Sequence, residues 1–338
     1  MSAKPDPVLV EVTRGRLVES EHRGALAVAD ARGTVILSLG DVTRPIYPRS
    51  AFKMMQALPL VESGAADAFG LTAQELSLAC ASHSGEAFHV KAAASILKKA
   101  GCQTDDLACG PHLPLGPGAA EAMLRAKAKP TKLHNNCSGK HAGFLCCAVH
   151  AGAPVKGYEL VSHPVQKAAR RAIGELCGVR PGAMPVGIDG CAAPNFALPL
   201  KALATGFARL ADPGRLSDTR QAAIARLMDA VTRHPLFESG TGREDVVMMA
   251  DADEGTMTKV GAEGVMAAAI PSLGLGVAVK IDDGGNRAAA TAMAQLLVTL
   301  GALPARSKAA KTFLNVAVKN WRGDLCGVKR AAPALAAL

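Results

Sequence analysis

Apolar and polar residues alternate along the first forty positions of the chain. Three runs, at 8–12, 25–29 and 34–39, have the composition of β-strands. Short polar links that contain Gly15 and Gly33 separate these runs. Links of this length favour antiparallel pairing, because a parallel crossover needs about a dozen residues or more. The pattern therefore predicts three antiparallel strands.

From about residue 50 the apolar residues recur at the three- and four-residue spacing of helices. Thr72 and Glu75 have the spacing of a capping box, in which a side chain and the backbone at a helix start bond each other reciprocally. Glycine- and proline-rich links separate the segments. The predicted helices are 53–62, 92–101, 119–127, 164–177 and 215–233.

Strand-like runs return after about residue 256 and are joined by turns that contain glycine. A helix is predicted over 287–300. The predicted strands are 256–260, 265–270 and 276–281, with further candidates at 315–318 and 325–329.

This order of elements predicts an α+β fold, because the alternation of strand and helix typical of a parallel sheet is missing. We expect a single domain over 1–338. Its sheet part comes from about 1–48 and 256–330, and its mainly helical part covers about 50–250.

Composition narrows the class of protein. Of the 338 residues, 49% are hydrophobic and 20% are charged, which excludes a disordered chain. No run reaches the roughly 18 apolar residues that a membrane span needs, so we expect no membrane partner. No apolar core follows Lys4, as it would in a secretory signal, so we expect a cytoplasmic protein.

The net charge of +9 raises the question of nucleic-acid binding. The basic residues are scattered, however, and aromatic residues make up only 3% of the chain, so platforms for base stacking are scarce. We predict no nucleic-acid partner. The nine cysteines are an odd number, and reduced thiols are expected in a protein without an export signal.

Ser50 and Lys53 lie one turn apart at the start of a predicted helix. A serine needs a base within hydrogen-bond reach to act as a nucleophile, and a lysine can be that base when burial or a nearby cation lowers its pKa. The spacing also arises by chance: Ser95 and Lys98 repeat it in an ordinary amphipathic helix.

Three further segments concentrate reactive side chains. Ser82, His83 and Glu86 follow an apolar run, and they permit either a serine–histidine–carboxylate triad or a capped turn. The segment 134–143 carries a soft metal-ligand candidate in Cys137, or else forms a glycine-bearing helix cap. Asp189 and Cys191 share a face if the segment is extended, and lie in a turn otherwise.

Lys259 interrupts an apolar strand just before a glycine turn. Such a lysine either points to solvent or is buried, and a buried one titrates closer to neutral pH.

Taken together and in order, these motifs resemble the asparaginase II family, the Rhizobium-type asparaginases, over nearly the whole chain. The motifs are RSAFK at 49–53, ASHSGE at 81–86, NNCSGKH at 135–141, GIDGC at 187–191 and KVGAEG at 259–264.

The resemblance implies hydrolysis of L-asparagine to L-aspartate and ammonia, a fold like the serine β-lactamases and glutaminases, and a homodimer. It implies two serine–lysine pairs, Ser50 with Lys53 and Ser82 with Lys259. It also implies one zinc ion per subunit. The implied zinc ligands are Cys137, Lys140, Cys191 and water, and the implied substrate contacts are Asp189, Arg49 and His141.

Two alternatives stay open. A glutaminase or another serine amidohydrolase differs only in its substrate, and one methylene is worth about 1–3 kcal/mol in a pocket. A zinc- or ligand-binding protein on the same scaffold would retain the metal site without turnover. The family varies near Asp245, so the polarity of that region is undetermined.

Overall fold

The computed structural model describes residues 5–338. The strands are β1 Val8–Arg14, β2 Leu17–Asp30, β3 Val35–Leu39, β4 Pro45–Ile46, β5 Val186–Ile188, β6 Pro194–Phe196, β7 Leu198–Pro199, β8 Met257–Val260, β9 Val265–Ile270, β10 Leu275–Ile281, β11 Val316–Lys319 and β12 Leu325–Ala331.

The described residues also form fourteen helices and four short 3-10 turns. The helices are α1 Lys53–Glu62, α2 Ala65–Ala68, α3 Ala73–Ala79, α4 Ala87–Lys99, α5 Pro117–Arg125, α6 Ser138–His150, α7 Pro164–Cys177, α8 Leu200–Ala211, α9 Asp218–Arg233, α10 Pro235–Glu238, α11 Glu244–Met249, α12 Asn286–Thr299, α13 Lys308–Phe313 and α14 Pro333–Ala336.

The chain divides into two compact units. The sheet unit contains the chain up to Ala51 together with Leu198–Asp212 and Val247–Leu338, and the helical unit contains Phe52–Ala197 and Pro213–Val246. The prediction of one domain over 1–338 stays a prediction.

An eight-stranded antiparallel sheet forms the sheet unit, in the order β11-β12-β1-β2-β10-β9-β8 with β3 also paired to β2. Helices cover both faces at β10. Val277 and Val279 lie in the core cluster with residues of α12, while Gly276 faces the backbone of α8. Burial on both faces explains why β9 and β10 are almost continuously apolar.

The helical unit is built around α1 and α6, which contact each other and α7. The capping box predicted for Thr72 and Glu75 begins α3. The helices predicted at 53–62 and 164–177 have the same bounds in α1 and α7, and the other predicted helices are shifted by a few residues.

The α+β class predicted from the sequence is confirmed. The largest differences from the predicted elements are that β2 begins at Leu17 rather than at 25 and that α8 had not been predicted. Among residues 5–338, no helix is both long enough and apolar enough to cross a bilayer.

Candidate active site and thiol cluster

Two buried cysteines meet in the helical unit. Cys137 is the N-cap residue of α6, and its backbone N–H donates to Asn135 Oδ1 at 2.9 Å. Cys191 lies in the turn between β5 and β6, where the Ala192 N–H donates to the Asp189 carbonyl at 2.9 Å. The structure thus selects a turn over the extended alternative for this segment. The Cys137 thiol and the Cys191 sulfur are close enough for each to shift the pKa of the other.

A lysine compensates the charge of this thiol pair. The hydrogen bond from Cys137 and the ammonium of Lys140 lower the pKa of Cys191, while the same bond and burial raise the pKa of Cys137. Lys140 Nζ lies 3.2 Å from Cys191 Sγ. Burial opposes the charge of Lys140, yet the sulfur charge at Cys191 raises its pKa above the ordinary value. These shifts favour a negative charge on Cys191, a protonated Cys137 thiol and a positive charge on Lys140.

His141 packs beside this cluster. Its Nδ1 lies 2.6 Å from Tyr158 Oη, and Tyr158 also accepts the Ala108 N–H. Burial lowers the pKa of His141, so the ring is neutral at neutral pH. A hydrogen bond with Cys191 opposes this effect and favours the protonated ring.

Lys53 joins the thiol cluster to the segment that carries Ser82. Lys53 is 1% exposed. Its Nζ donates to the Ala81 carbonyl at 2.6 Å and to Cys137 Sγ at 3.1 Å. Lys53 is therefore a buried amine that contacts both the Ser82 segment and the thiol cluster.

Ser82 is held at both its backbone and its side chain. Its N–H donates to the Glu238 carbonyl at 3.0 Å, and its Oγ accepts from Asn136 Nδ2 at 2.9 Å. The residue is 7% exposed. The hydroxyl is thus fixed in direction while it retains a small accessible area.

His83 has a structural role rather than a place in a triad. Its Nδ1 accepts the Gly85 N–H at 3.1 Å, so the proton is on Nε2, which lies 2.9 Å from Ser138 Oγ. Ser138 in turn donates to the Leu133 carbonyl. Burial lowers the pKa of His83 well below its usual range, and the neutral ring links the 82–86 segment to the start of α6.

The region of Asp245 lies against the same segment. The Ser84 N–H donates to the Ser239 carbonyl at 2.8 Å, and Ser239 Oγ donates to Asp245 Oδ2 at 3.2 Å. Asp245 and Glu238 are both fully buried. Asp245 therefore holds Ser239, whose carbonyl in turn bonds the Ser84 backbone. Two buried carboxyl groups make this region polar.

Three predicted site residues belong to the sheet unit. Arg49 has a left-handed backbone with φ of 55°, and its guanidinium lies 3.9 Å from Glu263. Ser50 follows it in a 3-10 turn. Lys259 is fully buried in β8, with Nζ 3.1 Å from the Val260 carbonyl. Burial therefore replaces the solvent-facing alternative for Lys259.

Ser50 and Lys259 lie in the sheet unit, whereas Lys53 and Ser82 lie in the helical unit. The pairing of Ser50 with Lys53 and of Ser82 with Lys259 stays a prediction. Asp189 is half-buried, and it contributes to the raised pKa of Lys140.

The sulfur and nitrogen atoms of the thiol cluster are of types that can bind a zinc ion. Over residues 5–338, no three His, Cys, Asp or Glu side chains gather at one point, so a metal here needs a different third ligand. Cys137, Cys191 and Lys140 converge in one buried cluster. Two sulfurs, an amine and a water would complete the four positions that Zn²⁺ prefers.

Some residues of this site had no predicted role. Asn136 lies inside the NNCSGKH motif, but its role depends on the position of Ser82. Tyr158 and Glu238 stand in segments without a motif, and only their distances to His141 and Ser82 reveal them.

Solved structures that match this chain differ widely from it in sequence. A β-lactamase from Mycobacterium bovis is 14% identical, with 83% of this chain and 95% of that chain covered and a TM-score of 0.43. A protein named Mglu in its native form is 15% identical, covers 93% of this chain and 70% of its own, and gives a TM-score of 0.43. A putative β-lactamase from Bacteroides dorei is 13% identical, covers 78% and 85% respectively, and gives 0.42.

No curated protein sequence matches this chain at a significant level. The family model of L-asparaginase II, in contrast, matches residues 10–331. These residues include every motif discussed above and nearly all of both units. The family supports an enzyme that hydrolyses amides of a small-molecule substrate. The chain belongs to the L-asparaginase II family.

Proposed function

We propose that this protein hydrolyses the side-chain amide of L-asparagine to give L-aspartate and ammonia. The observation that carries the proposal is the buried contact chain in the helical unit. Lys53 Nζ bonds the residue before Ser82 and also Cys137 Sγ, while Asn136 bonds the Ser82 hydroxyl. A fixed serine, a buried amine and a thiolate cluster thus occur together.

The reaction would proceed through an acyl-enzyme. A serine Oγ attacks the side-chain amide carbon while a lysine amine accepts the hydroxyl proton. The C–N bond breaks, and the lysine returns the proton to the departing ammonia. Water then attacks the aspartyl ester, gives up a proton by the same route and regenerates the serine.

Both Ser50 and Ser82 are candidates for the nucleophile. Ser50 lies in the turn that leads into α1 and is favoured by the partial positive charge of a helix start. Ser82 is favoured by its fixed direction. In this proposal Lys53 serves Ser50, and Lys259 serves Ser82.

An amino-acid substrate needs an anion for its ammonium and a cation for its carboxylate. We assign Asp189 to the ammonium and Arg49 to the carboxylate, with His141 as a further contact. Asp189 suits its role because it is half-buried beside the thiol cluster.

Zn²⁺ would be held by Cys137, Cys191, Lys140 and water, one ion per subunit. When bound, the ion supplies a fixed positive charge beside the substrate site. Cys137 and Lys140 carry protons in the metal-free cluster, and a ligand must lose its proton to coordinate. Zinc affinity should therefore fall as the pH is lowered.

Ammonia release from L-asparagine, with and without a chelator, tests the proposal. Ser50→Ala and Ser82→Ala should each reduce turnover strongly, and the variant that retains the nucleophile should accumulate an aspartyl adduct detectable by intact mass. L-Glutamine in the same assay distinguishes a glutaminase. Near-normal turnover by both serine variants would rule out the serine mechanism.

We also propose a homodimer in the cytoplasm, as the family resemblance implies. Size-exclusion chromatography with light scattering measures the first property, and fractionation of the source cells measures the second. A single monomeric species at working concentration would contradict the dimer.

A further inference from the structure

The Asn136 side chain makes a direct hydrogen bond to a reacting group of the proposed mechanism. Its Nδ2 lies 2.9 Å from Ser82 Oγ and donates to it. Because the oxygen accepts this bond, the proton of the Ser82 hydroxyl is free to point toward a different acceptor.

The backbone N–H and the backbone carbonyl of Asn136 both form hydrogen bonds. Its backbone N–H donates to His112 Nε2 at 3.0 Å, and its carbonyl accepts the His83 N–H at 3.1 Å. His112 Nδ1 lies 2.6 Å from the Leu113 carbonyl, and His112 Nε2 also lies 3.3 Å from Asn136 Oδ1. These bonds fix the Asn136 backbone from which the side-chain amide reaches Ser82 Oγ.

A preorganised donor at this oxygen stabilises the charge that the reaction creates. Negative charge develops on Oγ when its proton moves to an amine base and the Oγ–C bond forms. It develops again when water attacks the ester and the Oγ–C bond breaks. A donor that is already in position stabilises both events without reorganisation.

We infer that Asn136 is a catalytic residue that stabilises the developing charge on Ser82 Oγ through its side-chain amide. The inference rests on the proposed function only in assuming that Ser82 reacts. It goes beyond the two serine–lysine pairs, because neither pair supplies a neutral donor to the serine oxygen.

Two variants separate donation from acceptance. Asn136→Ala removes the amide, and Asn136→Asp keeps its shape but, when ionised, offers only acceptor oxygens. The removal of a hydrogen bond to a charged group should slow the reaction roughly 10- to 150-fold. We expect that loss in kcat for both variants, with KM within threefold of wild type and the unfolding midpoint unchanged for Asn136→Asp. Asn320→Ala, which truncates an exposed asparagine in the β11–β12 turn, is the control.

Full kcat in Asn136→Asp would overturn the inference, because the amide would then act as an acceptor. A change below threefold in both variants, or one confined to KM, would overturn it as well. Either result leaves the proposed asparagine hydrolysis standing, because the wild-type enzyme is measured in the same assay.

A second readout does not depend on asparagine. Phenylmethylsulfonyl fluoride sulfonylates activated serines with release of fluoride, and peptide mass spectrometry locates the label. We expect Ser82 to be labelled at least about tenfold more slowly in both Asn136 variants than in wild type. Equal labelling rates, or no labelling of Ser82 in the wild-type protein, would overturn the inference even if asparagine is not the substrate.

Discussion

Gly139 provides a sharp test of how the thiol cluster is positioned. It is the second residue of α6, between Cys137 and Lys140, and it packs on the end of α3 within the helical unit. A Cβ at this position would lie 2.3 Å from the Leu78 carbonyl oxygen and 2.5 Å from Leu78 Cγ. Gly143, one turn later, is a matched control: its Cβ would lie 3.3 Å from Leu60 Cδ2 and 3.4 Å from Ala79 Cβ, which are both side-chain atoms.

Alanine should destabilise the protein at Gly139 but not at Gly143. Ordinary contacts at a Cβ lie at 3.4–4 Å, so Gly139→Ala must displace a backbone oxygen that cannot rotate away. Overpacking costs about 1–3 kcal/mol, and we expect the upper part of that range. Gly143→Ala should be neutral or up to about 1 kcal/mol more stable, because alanine favours the helix.

Urea unfolding followed by circular dichroism measures both free energies of unfolding, and equal slopes are required for the comparison. Ammonia release measures the second consequence. Because Gly139 lies between two proposed zinc ligands, its alanine variant should lose more activity than the fraction unfolded explains. Gly143→Ala should retain activity.

Equal or greater stability of Gly139→Ala relative to Gly143→Ala would refute this reasoning. Such a result would mean that α6 is not seated directly on the end of α3, and that the NNCSGKH motif does not need its glycine for packing.

Three further predictions follow from the same geometry. Lys140→Met should raise the pKa of Cys191, because it removes the ammonium 3.2 Å away; titration of thiolate absorbance measures this, and an unchanged midpoint would contradict it. The pKa of His83 lies below its usual 6.5. As the pH falls, the unfolded chain therefore takes up a proton at this histidine before the folded protein does. The neutral, buried His83 ring therefore stabilises the folded protein fully above pH 6.5. This stabilisation falls by up to about 1.4 kcal/mol per pH unit as the pH drops toward the pKa of His83 in the folded protein. His83→Asn should lower the slope of urea midpoints between pH 7 and 5, and an unaltered slope would exclude His83 as a source. Gly276→Ala should destabilise strongly, because its Cβ would lie 2.1 Å from backbone atoms of α8; Gly118→Ala, in open space, is the control, and equal stabilities would contradict this account.

The strands were predicted well where one physical signal dominates. The runs at 265–270 and 276–281 coincide with β9 and β10 because apolar residues and glycine turns mark both ends. The first half of β2 was missed because Leu17–Asp30 begins with a mostly exposed stretch whose residues from Glu19 to Arg23 are polar. In α8, nine of twelve residues are buried. Lys201, Thr205 and Arg209 nevertheless recur at four-residue spacing, so the period of this helix was present in the sequence and could have predicted it.

The site residues were predicted by type and motif, but their interactions were not. Lys140 and Cys191 are 51 positions apart, and only their contact explains why one carries a positive and the other a negative charge. Asn136 shows the same limit. An asparagine in a polar loop has many uses, and its place beside Ser82 depends on how two distant segments pack.

The buried lysines connect stability to function. Lys53, Lys140 and Lys259 are each at most 3% exposed. Removing an ammonium from water costs several kcal/mol unless partners compensate it, and a whole domain is stable by only about 5–15 kcal/mol. Lys140 is compensated by the charge on Cys191, which itself needs a cation. Apolar side chains would fill these positions at lower cost, so the three buried amines among residues 5–338 agree with the lysine chemistry proposed above.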